Sequence, residues 1–97
     1  MAIIITFDFP GTTQAQYEQV TNKMTEGRGL EKASDWPVAG LISHATGPSP
    51  TGWFVTDVWE SEEAFRQFGA ELAPLLREAG IPETEPKIYQ AFKVVMG

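Results

Sequence analysis

The order of apolar and polar positions along the chain predicts four strands and two helices. Short runs dense in β-branched and aromatic residues predict strands, and longer runs with an apolar residue every three or four positions predict helices. The predicted order is β-α-β-β-α-β, over residues 2–9, 12–26, 38–46, 53–60, 62–79 and 87–95. This order is typical of the ferredoxin-like α+β fold, in which four antiparallel strands carry both helices on one face. We expect a single domain over residues 1–97.

Each predicted helix has a recognisable start and one apolar stripe. Thr12 or Thr13 can cap the first helix, whose apolar stripe is formed by Tyr17, Val20, Thr21 and Met24. Ser61 is expected to cap the second helix, whose buried residues are predicted to be Phe65, Phe68, Leu72, Leu76 and Ala79. Pro74 is expected to kink or split that helix near Ala73, because proline removes a backbone donor and clashes with the preceding turn.

Large apolar side chains are predicted on both faces of the sheet. In the first strand Ile3, Ile5, Phe7 and Phe9 alternate with Ala2, Ile4, Thr6 and Asp8. In the third strand Trp53, Val55 and Trp59 alternate with Phe54 and Val58, and in the fourth Ile88, Phe92 and Val94 alternate with Tyr89, Ala91 and Val95. One helix layer covers one face only, so we expect a homodimer with sheet packed on sheet. The alternative is a monomer with a scattered apolar face.

Composition and charge exclude several classes of function. The chain has 7 basic and 13 acidic residues, a net charge of −6, and its basic residues are scattered, which argues against nucleic acid and anionic membrane surfaces as partners. There is no cysteine and only one histidine, so disulfides, thiolate chemistry and multi-histidine metal sites are excluded within one chain. No apolar stretch approaches the length of a membrane helix, and no targeting segment is evident; we expect a cytoplasmic protein.

His44 and Asp57 are the candidate catalytic residues. Asp57 interrupts an apolar strand, and a buried carboxylate must be paired, hydrogen-bonded or protonated. If residue 44 pairs with residue 55 across the six-residue loop 47–52, His44 shares a face with Asp57, whereas a one-residue slip would place it with Phe54 and Val58. In the first register Asp57 can orient the imidazole and leave its other nitrogen free to accept a proton. The alternatives are an ordinary strand histidine, and a carboxylate that binds Lys93, Arg66 or a loop backbone.

Aromatic side chains provide candidate walls for a binding pocket. Flat apolar surfaces suit an aromatic or polycyclic ligand, and indole and phenol groups can also offer hydrogen bonds. The candidates for substrate binding are Trp59, Trp53, Tyr89, Tyr17 and Phe65. The alternative is that aromatic residues at these spacings are simply core.

The segment 52–65, Gly-Trp-Phe-Val-Thr-Asp-Val-Trp-Glu-Ser-Glu-Glu-Ala-Phe, resembles the antibiotic biosynthesis monooxygenase (ABM) superfamily of dimeric α/β barrels. Residues 40–44 and 86–89 are similar to its small, ABM-like branch. The resemblance implies a pocket between the sheet and its helices, and dimers that form sheet to sheet. Quinone-forming members oxidise polyketide aromatics with O₂ and no metal or flavin, using a pocket Trp, Asn and Tyr.

Three positions of this sequence bear on that resemblance. Trp59 matches the Trp of the quinone-forming members, but the Asn expected on the first strand is absent from residues 2–9. Heme-degrading members carry an iron-binding histidine in the second helix, where this chain has Phe68-Gly69-Ala70. A heme site would therefore lack its axial ligand, and His44 lies on a different element.

The resemblance and the candidate residues together favour a small cofactor-independent ABM-like enzyme, with no metal, acting on an aromatic or polyketide-like molecule. In this hypothesis His44 removes a proton from an acidic phenol or enol, Asp57 fixes its tautomer, and Trp59, Trp53 and Tyr89 shape the pocket. The same base also suits an isomerase or cyclase. A non-catalytic ligand-binding or dimerisation domain is the alternative from a different class, and heme binding is a third, lesser one.

Overall fold

A computed structural model of the chain describes residues 1–96 and contains the predicted α+β architecture. In chain order the elements are strand β1 (Ile3–Pro10), helix α1 (Gln14–Met24), strands β2 (Leu41–Ser49) and β3 (Gly52–Trp59), helix α2 (Glu62–Glu78) and strand β4 (Lys87–Gln90). A single 3₁₀ turn, Ala33–Asp35, lies in the connector between α1 and β2. The sheet is antiparallel throughout, with the strand order β2-β3-β1-β4 of the ferredoxin-like fold.

Both helices pack on the same face of the sheet, as the β-α-β-β-α-β order predicts. On that face β1 and β3 bury Ile3, Ile5, Phe7, Phe9, Trp53, Val55 and Trp59. The helices and the loop after α2 contribute Val20, Ala64, Phe65, Phe68 and Ile81 to the same core. The core is therefore one layer of aromatic and aliphatic side chains between sheet and helices, and the candidate site lies at its edge.

Thr13, rather than Thr12, caps α1. The Thr13 hydroxyl accepts from the backbone N–H of Gln16, and the Gln16 side chain accepts in return from the backbone N–H of Thr13, which is a capping box. Thr12 is left free of this role and is buried, with only 5 % of its surface exposed. This small difference places a threonine hydroxyl inside the protein.

Helix α2 is continuous through Pro74, so the predicted split near Ala73 is wrong. Pro74 faces solvent, whereas Leu72, Leu75 and Leu76 pack against the core on either side of it. The backbone hydrogen bond that Pro74 cannot form thus falls on the outer face, where water can hydrogen-bond to the free carbonyl. Packing of the apolar face stabilises the rest of the helix. At 17 residues α2 is the longest helix within residues 1–96. None of the helices described there is long and apolar enough to cross a membrane.

The β2–β3 hairpin is longer than predicted, so the prediction of a six-residue loop over residues 47–52 is wrong. Gly47, Pro48 and Ser49 continue β2 opposite Phe54, Trp53 and Gly52 of β3, which leaves only residues 50 and 51 as the turn. Strand β2 is at the edge of the sheet, and an edge strand tolerates a proline because its outward backbone groups need no partner.

Strand β4 is shorter than predicted, because it ends at Gln90 instead of residue 95. In the described sheet β4 pairs with β1 alone. The pairing ends where β1 begins, at the pair formed by Ile3 and Gln90. The backbone N–H of Ala91 still donates to Ala2, but beyond this point the chain has no strand to pair with. Phe92, predicted to share a face of this strand with Ile88, lies beyond its end and is fully exposed.

Candidate active site

The register of the β2–β3 hairpin brings His44 and Asp57 together on the helix-covered face. His44 lies directly opposite Asp57, and Thr46 lies opposite Val55. The expected pairing of residues 44 and 55 is therefore wrong by two positions. Because side chains alternate with a period of two, the shift keeps His44 on the predicted face.

Asp57 is a buried carboxylate, 2 % exposed, with both oxygens hydrogen-bonded. Its Oδ1 atom lies 2.5 Å from Nδ1 of His44, and its Oδ2 atom accepts from the indole N–H of Trp59 at 3.3 Å. Arg66, considered above as a partner, binds Glu62 instead. Since an ionised carboxylate only accepts, Nδ1 of His44 carries the hydrogen of that bond. Asp57 thus fixes the imidazole as the Nδ1–H tautomer.

The second nitrogen of His44 is not free, contrary to the expectation above. Its Nε2 atom lies 2.7 Å from the hydroxyl of Tyr17, which reaches across from α1. In the neutral imidazole Nε2 is an acceptor, so the Tyr17 hydroxyl donates to it. The three side chains form a continuous hydrogen-bonded chain, Tyr17–His44–Asp57, called here the proton relay.

The phenol of Tyr17 is held in its protonated form. Burial, with a further contribution from the negative charge of Asp57, raises the pKa of Tyr17 from 10.0 to about 12. At neutral pH the Tyr17 oxygen therefore has a hydrogen to give to His44 and lone pairs with which to accept another. This makes Tyr17 the end of the relay that a bound molecule would meet.

The relay lines a narrow cavity between the sheet and the two helices, with a volume of about 50 Å³. Apolar side chains from β1, β3, α1 and α2 form most of its wall, among them Phe7, Phe9, Val20, Met24, Phe68 and Leu72. A second, outer cleft of about 270 Å³ lies beside it, along the connector and β2. His44 and Trp36 border both spaces, so they lie where the inner cavity meets the outer cleft.

Only part of the predicted aromatic wall lines the cavity. Tyr17 and Trp53 do, and their rings pack 5.4 Å apart. Trp59 is completely buried below the relay, where it holds Asp57, and Phe65 packs against Phe7 and Trp59 in the core; neither lines the cavity. Tyr89 lies opposite Ile4 on the other face and is 52 % exposed, so its assignment to the pocket is wrong.

Trp36 and Thr12 are among the cavity residues that the sequence did not identify as part of the site. Trp36 follows the 3₁₀ turn of the connector, and its ring packs 4.6 Å from that of His44 and 5.8 Å from that of Phe68. Thr12 lines the cavity from the turn before α1. The one available signal was a tryptophan in an otherwise polar connector, since such a residue needs an apolar surface to cover. Thr12 gave no signal because it is an equally good helix cap.

Three solved structures with the same fold are of oxygenases. Two of them are structures of SnoaB, a cofactor-independent oxygenase from Streptomyces nogalater, and the second is an asparagine-to-alanine mutant. They match this chain with TM-scores of 0.58 and 0.57 and sequence identities of 16% and 17%. Each match covers 97% of this chain and 94% of SnoaB. A monooxygenase from the gene ActVA-Orf6 of Streptomyces coelicolor, in complex with nanaomycin D, matches with a TM-score of 0.51 and 22% identity over 99% of this chain and 91% of its own. No family model and no curated protein matches the chain. The resemblance to the ABM superfamily is thus confirmed for the fold, which this chain shares with SnoaB and the ActVA-Orf6 monooxygenase.

Proposed function

We propose that this protein is a small cofactor-independent monooxygenase that oxidises a hydroxylated, polyketide-like aromatic molecule. The observation that carries the proposal is the proton relay at the wall of an apolar cavity. Two further facts support it: the fold is that of proteins described as a cofactor-independent oxygenase and a monooxygenase, and the relay offers a base without a metal or a flavin. The substrate is then activated by losing a proton.

The proton leaves the substrate through Tyr17. A substrate hydroxyl or enol donates to the Tyr17 oxygen, while Tyr17 passes its own hydrogen to Nε2 of His44. The imidazolium that forms is balanced by the carboxylate of Asp57, which already accepts from Nδ1. Tyr17 and His44 are therefore the catalytic residues of the proposal, and Asp57 is a positioning residue.

The oxidation step balances with O₂ as the only oxidant. The substrate anion gives one electron to O₂, and the resulting radical pair combines to form a C–O bond and a peroxide anion. The peroxide takes up the proton stored on His44, and loss of water then leaves a carbonyl where a CH₂ group had been. One oxygen atom enters the product and the other leaves as water. The apolar wall favours this route because it excludes water that would stabilise the anion and slow its oxidation.

We also propose that the protein acts as a homodimer formed through the open face of the sheet. That face carries Phe54, 39 % exposed, and Tyr89 beside the half-buried Ile4 and Val58. The apolar chain after β4, with Phe92 and Val95 exposed, leaves from the same sheet. A second copy is the occupant that the ABM resemblance favours for this surface.

The first test of the proposed function is O₂ consumption with 1,8-dihydroxyanthrone as the probe substrate. We expect one O₂ consumed per anthraquinone formed, above the rate of the uncatalysed oxidation. Because both residues lie on the proton route, His44→Ala and Tyr17→Phe should each lower kcat about 100-fold or more. Product formed without O₂ uptake would favour an isomerase or cyclase. Binding without turnover would leave a binding domain.

The second test addresses the positioning role of Asp57. His44 is the only histidine, so its two ring nitrogens give unambiguous ¹⁵N NMR signals. We expect the Nδ1–H tautomer in the wild type and its loss in Asp57→Asn, together with a stability loss of about 1–3 kcal/mol measured by urea unfolding. Asp8→Asn is the matched control, because Asp8 is an exposed strand carboxylate that binds the hydroxyls of Ser49 and Thr51. An unchanged tautomer in Asp57→Asn would contradict the assigned role.

A further inference from the structure

Two side chains line both the inner cavity and the outer cleft, and they differ in how firmly they are held. His44 is hydrogen-bonded at both ring nitrogens, to Tyr17 and to Asp57. The indole nitrogen of Trp36 is buried and has no hydrogen-bond partner in the part of the chain that the structure describes. Its ring packs against those of His44 and Phe68. Of the two side chains, Trp36 is therefore the one that can move.

A ring-shaped ligand cannot reach Tyr17 while Trp36 stays in place. The inner cavity, about 50 Å³, is smaller than the ~150 Å³ cavity that holds benzene in another protein. The outer cleft, about 270 Å³, is large enough for a ring, but Trp36 and His44 lie where it meets the inner cavity. Entry from the cleft therefore requires the indole ring to move.

Trp36 belongs to a segment that is weakly attached to the rest of the protein. Residues 30–39 are called here the lid, and in the described chain their hydrogen bonds all have both partners within residues 31–36. The half-buried side chains of Trp36 and Val38 make the contacts of the lid with the core. A segment with few buried contacts and no hydrogen bonds to its surroundings opens at a low cost in free energy.

A glycine with a positive φ lies at each end of the lid. Gly29 has a φ of +80° and Gly40 a φ of +114°. Glycine accepts large backbone rotations without a steric penalty, so both positions suit a hinge. The N–H of Gly29 donates to the buried hydroxyl of Thr25. The carbonyl of Gly40 accepts from the N–H of Glu60, so both hinges are fixed to the body of the protein.

Two opposed contributions determine the free energy of the closed lid. Packing of the Trp36 ring against His44 and Phe68 favours the closed position. The buried indole N–H of Trp36 disfavours it, because water would accept from this group in the open position. The unpartnered N–H thus lowers the free-energy difference between the closed and the open lid.

We propose that residues 30–39 form a lid that hinges at Gly29 and Gly40, and that its Trp36 is the gate residue that controls passage from the outer cleft to Tyr17. The open lid admits an aromatic ring, and the closed lid returns Trp36 to His44 and excludes water from the proton relay. The inference rests on the proposed function, since it concerns access to the same site. Lid opening itself nevertheless requires neither substrate nor O₂.

Hydrogen exchange of the three indole N–H groups, followed by NMR, tests the lid without any ligand. The spectrum of Trp36→Phe identifies the signal of Trp36. We expect the Trp36 indole hydrogen to exchange at least about 100-fold faster than that of Trp59, because it requires only the lid to open. Trp59 is fully buried on β3 and its N–H is bound to Asp57. Equal exchange rates would overturn the inference.

Gly29→Ala and Gly11→Ala separate lid opening from general destabilisation. Both glycines have a positive φ, +80° and +71°, and at neither would a Cβ meet an atom within 4 Å. The added side chain therefore strains both backbones alike, and urea unfolding should show a similar loss of stability. Lid opening relieves the strain only in Gly29→Ala, where exchange at Trp36 should rise about tenfold, against less than about twofold in Gly11→Ala. An unchanged rate in Gly29→Ala would contradict the hinge.

Stopped-flow fluorescence with 1-naphthol, a neutral aromatic probe, tests access to the cavity. In the wild type the observed binding rate should level off at high naphthol concentration, at the rate of lid opening. Trp36→Ala removes the gate, so its observed rate should stay proportional to concentration. Its association and dissociation rate constants should each rise about tenfold or more. Identical kinetics in the two proteins would overturn the inference, and so would the absence of naphthol binding from both.

Failure of the proposed function gives a different result from failure of the lid. Gated binding of 1-naphthol without O₂ consumption from 1,8-dihydroxyanthrone would contradict the proposed function and support the lid. O₂ consumption together with identical naphthol kinetics in the wild type and Trp36→Ala would contradict the lid alone.

Discussion

A carboxylate in the middle of a buried strand needs hydrogen-bond donors, and Asp57 receives one from each of two neighbours. Trp59 lies two positions along the same strand and so points to the same face, while His44 is brought opposite by the hairpin register. The position of Asp57 thereby fixes the tautomer of His44, which in turn holds the hydroxyl of Tyr17. One anomalous residue in the strand pattern accounts for the geometry of the whole relay.

The titration of Tyr17 is a direct test of this environment. The chain has two tyrosines, so in a Tyr89→Phe background the ultraviolet absorbance change of phenolate formation reports Tyr17 alone. We expect its midpoint near pH 12, because burial and the charge of Asp57 both disfavour the phenolate. A midpoint at pH 10 in a protein that is still folded by circular dichroism would contradict the buried, hydrogen-bonded placement.

The same shift predicts how stability depends on pH. The folded state holds the Tyr17 proton more tightly than the unfolded state does, since the folded pKa is about 12 and the ordinary value is 10.0. The stability contributed by this group is therefore fully present below pH 10 and is lost as the pH rises through 12. The difference in unfolding free energy between wild type and Tyr17→Phe should shrink over that window.

The hairpin between β2 and β3 is the element on which the site depends. Its two-residue turn keeps His44 in register with Asp57, and the start of β3 passes close to the end of β1. Asp8 of β1 accepts hydrogen bonds from the hydroxyls of Ser49 and Thr51 beside this turn. The close approach leaves no room for a side chain at Gly52.

Gly52→Ala is therefore expected to destabilise the protein by about 1–3 kcal/mol, measured by urea unfolding. An added Cβ would lie 2.6 Å from the backbone nitrogen of Gly11 and closer still to the carbonyl oxygen of Phe9, and both are backbone atoms that cannot move aside alone. Gly47→Ala is the matched control on the paired strand, because a Cβ there meets nothing within 4 Å. A change within about 0.5 kcal/mol is expected for Gly47→Ala. Equal effects at the two glycines would contradict the packing at the hairpin.

Local pattern was sufficient to predict the elements but not where they end. The alternation in β1 and β3 divided their side chains between the two faces of the sheet correctly, because side chains alternate with a period of two along a strand. The end of β4 depends instead on where its neighbour β1 begins. The continuity of α2 through Pro74 depends on the packing of the leucines on either side of this proline. Such outcomes follow from tertiary contacts that no local window contains.

The candidate site likewise contains residues that the sequence could identify and residues whose place depends on tertiary contacts. His44 and Asp57 were identified by chemistry, since a lone imidazole and a carboxylate in an apolar strand are unusual wherever they occur. The role of Tyr17 in the relay depends on the packing of α1 over the sheet, and the place of Trp36 depends on the path of the connector. Both are long-range consequences of the fold, and neither has a signature in residue spacing.

Across the whole molecule the two faces of the sheet differ in how well they are covered. The helix-covered face buries its aromatic side chains, whereas on the open face Phe54 and Tyr89 remain partly exposed. Threonine, aspartate and lysine are interspersed there, at Thr6, Asp8, Thr56 and Lys87, so this face is less apolar than the core face. The exposed chain after β4, which includes Phe92, Val95 and Met96, enlarges the apolar surface beside it. A second copy packed on this side of the sheet would remove both the open face and the chain after β4 from water.

Sedimentation equilibrium at micromolar concentration tests this dimer. We expect a mass of twice 10.7 kDa for the wild type, because burial of the open face and the exposed chain after β4 supplies the apolar area that association needs. Phe54→Glu places a charge on the open face and should shift the mass towards 10.7 kDa, whereas Ala70→Glu, on the exposed side of α2, should leave the dimer intact. A wild-type mass of 10.7 kDa would show that the open face stays in water. A dimer that withstands Phe54→Glu would place the interface elsewhere.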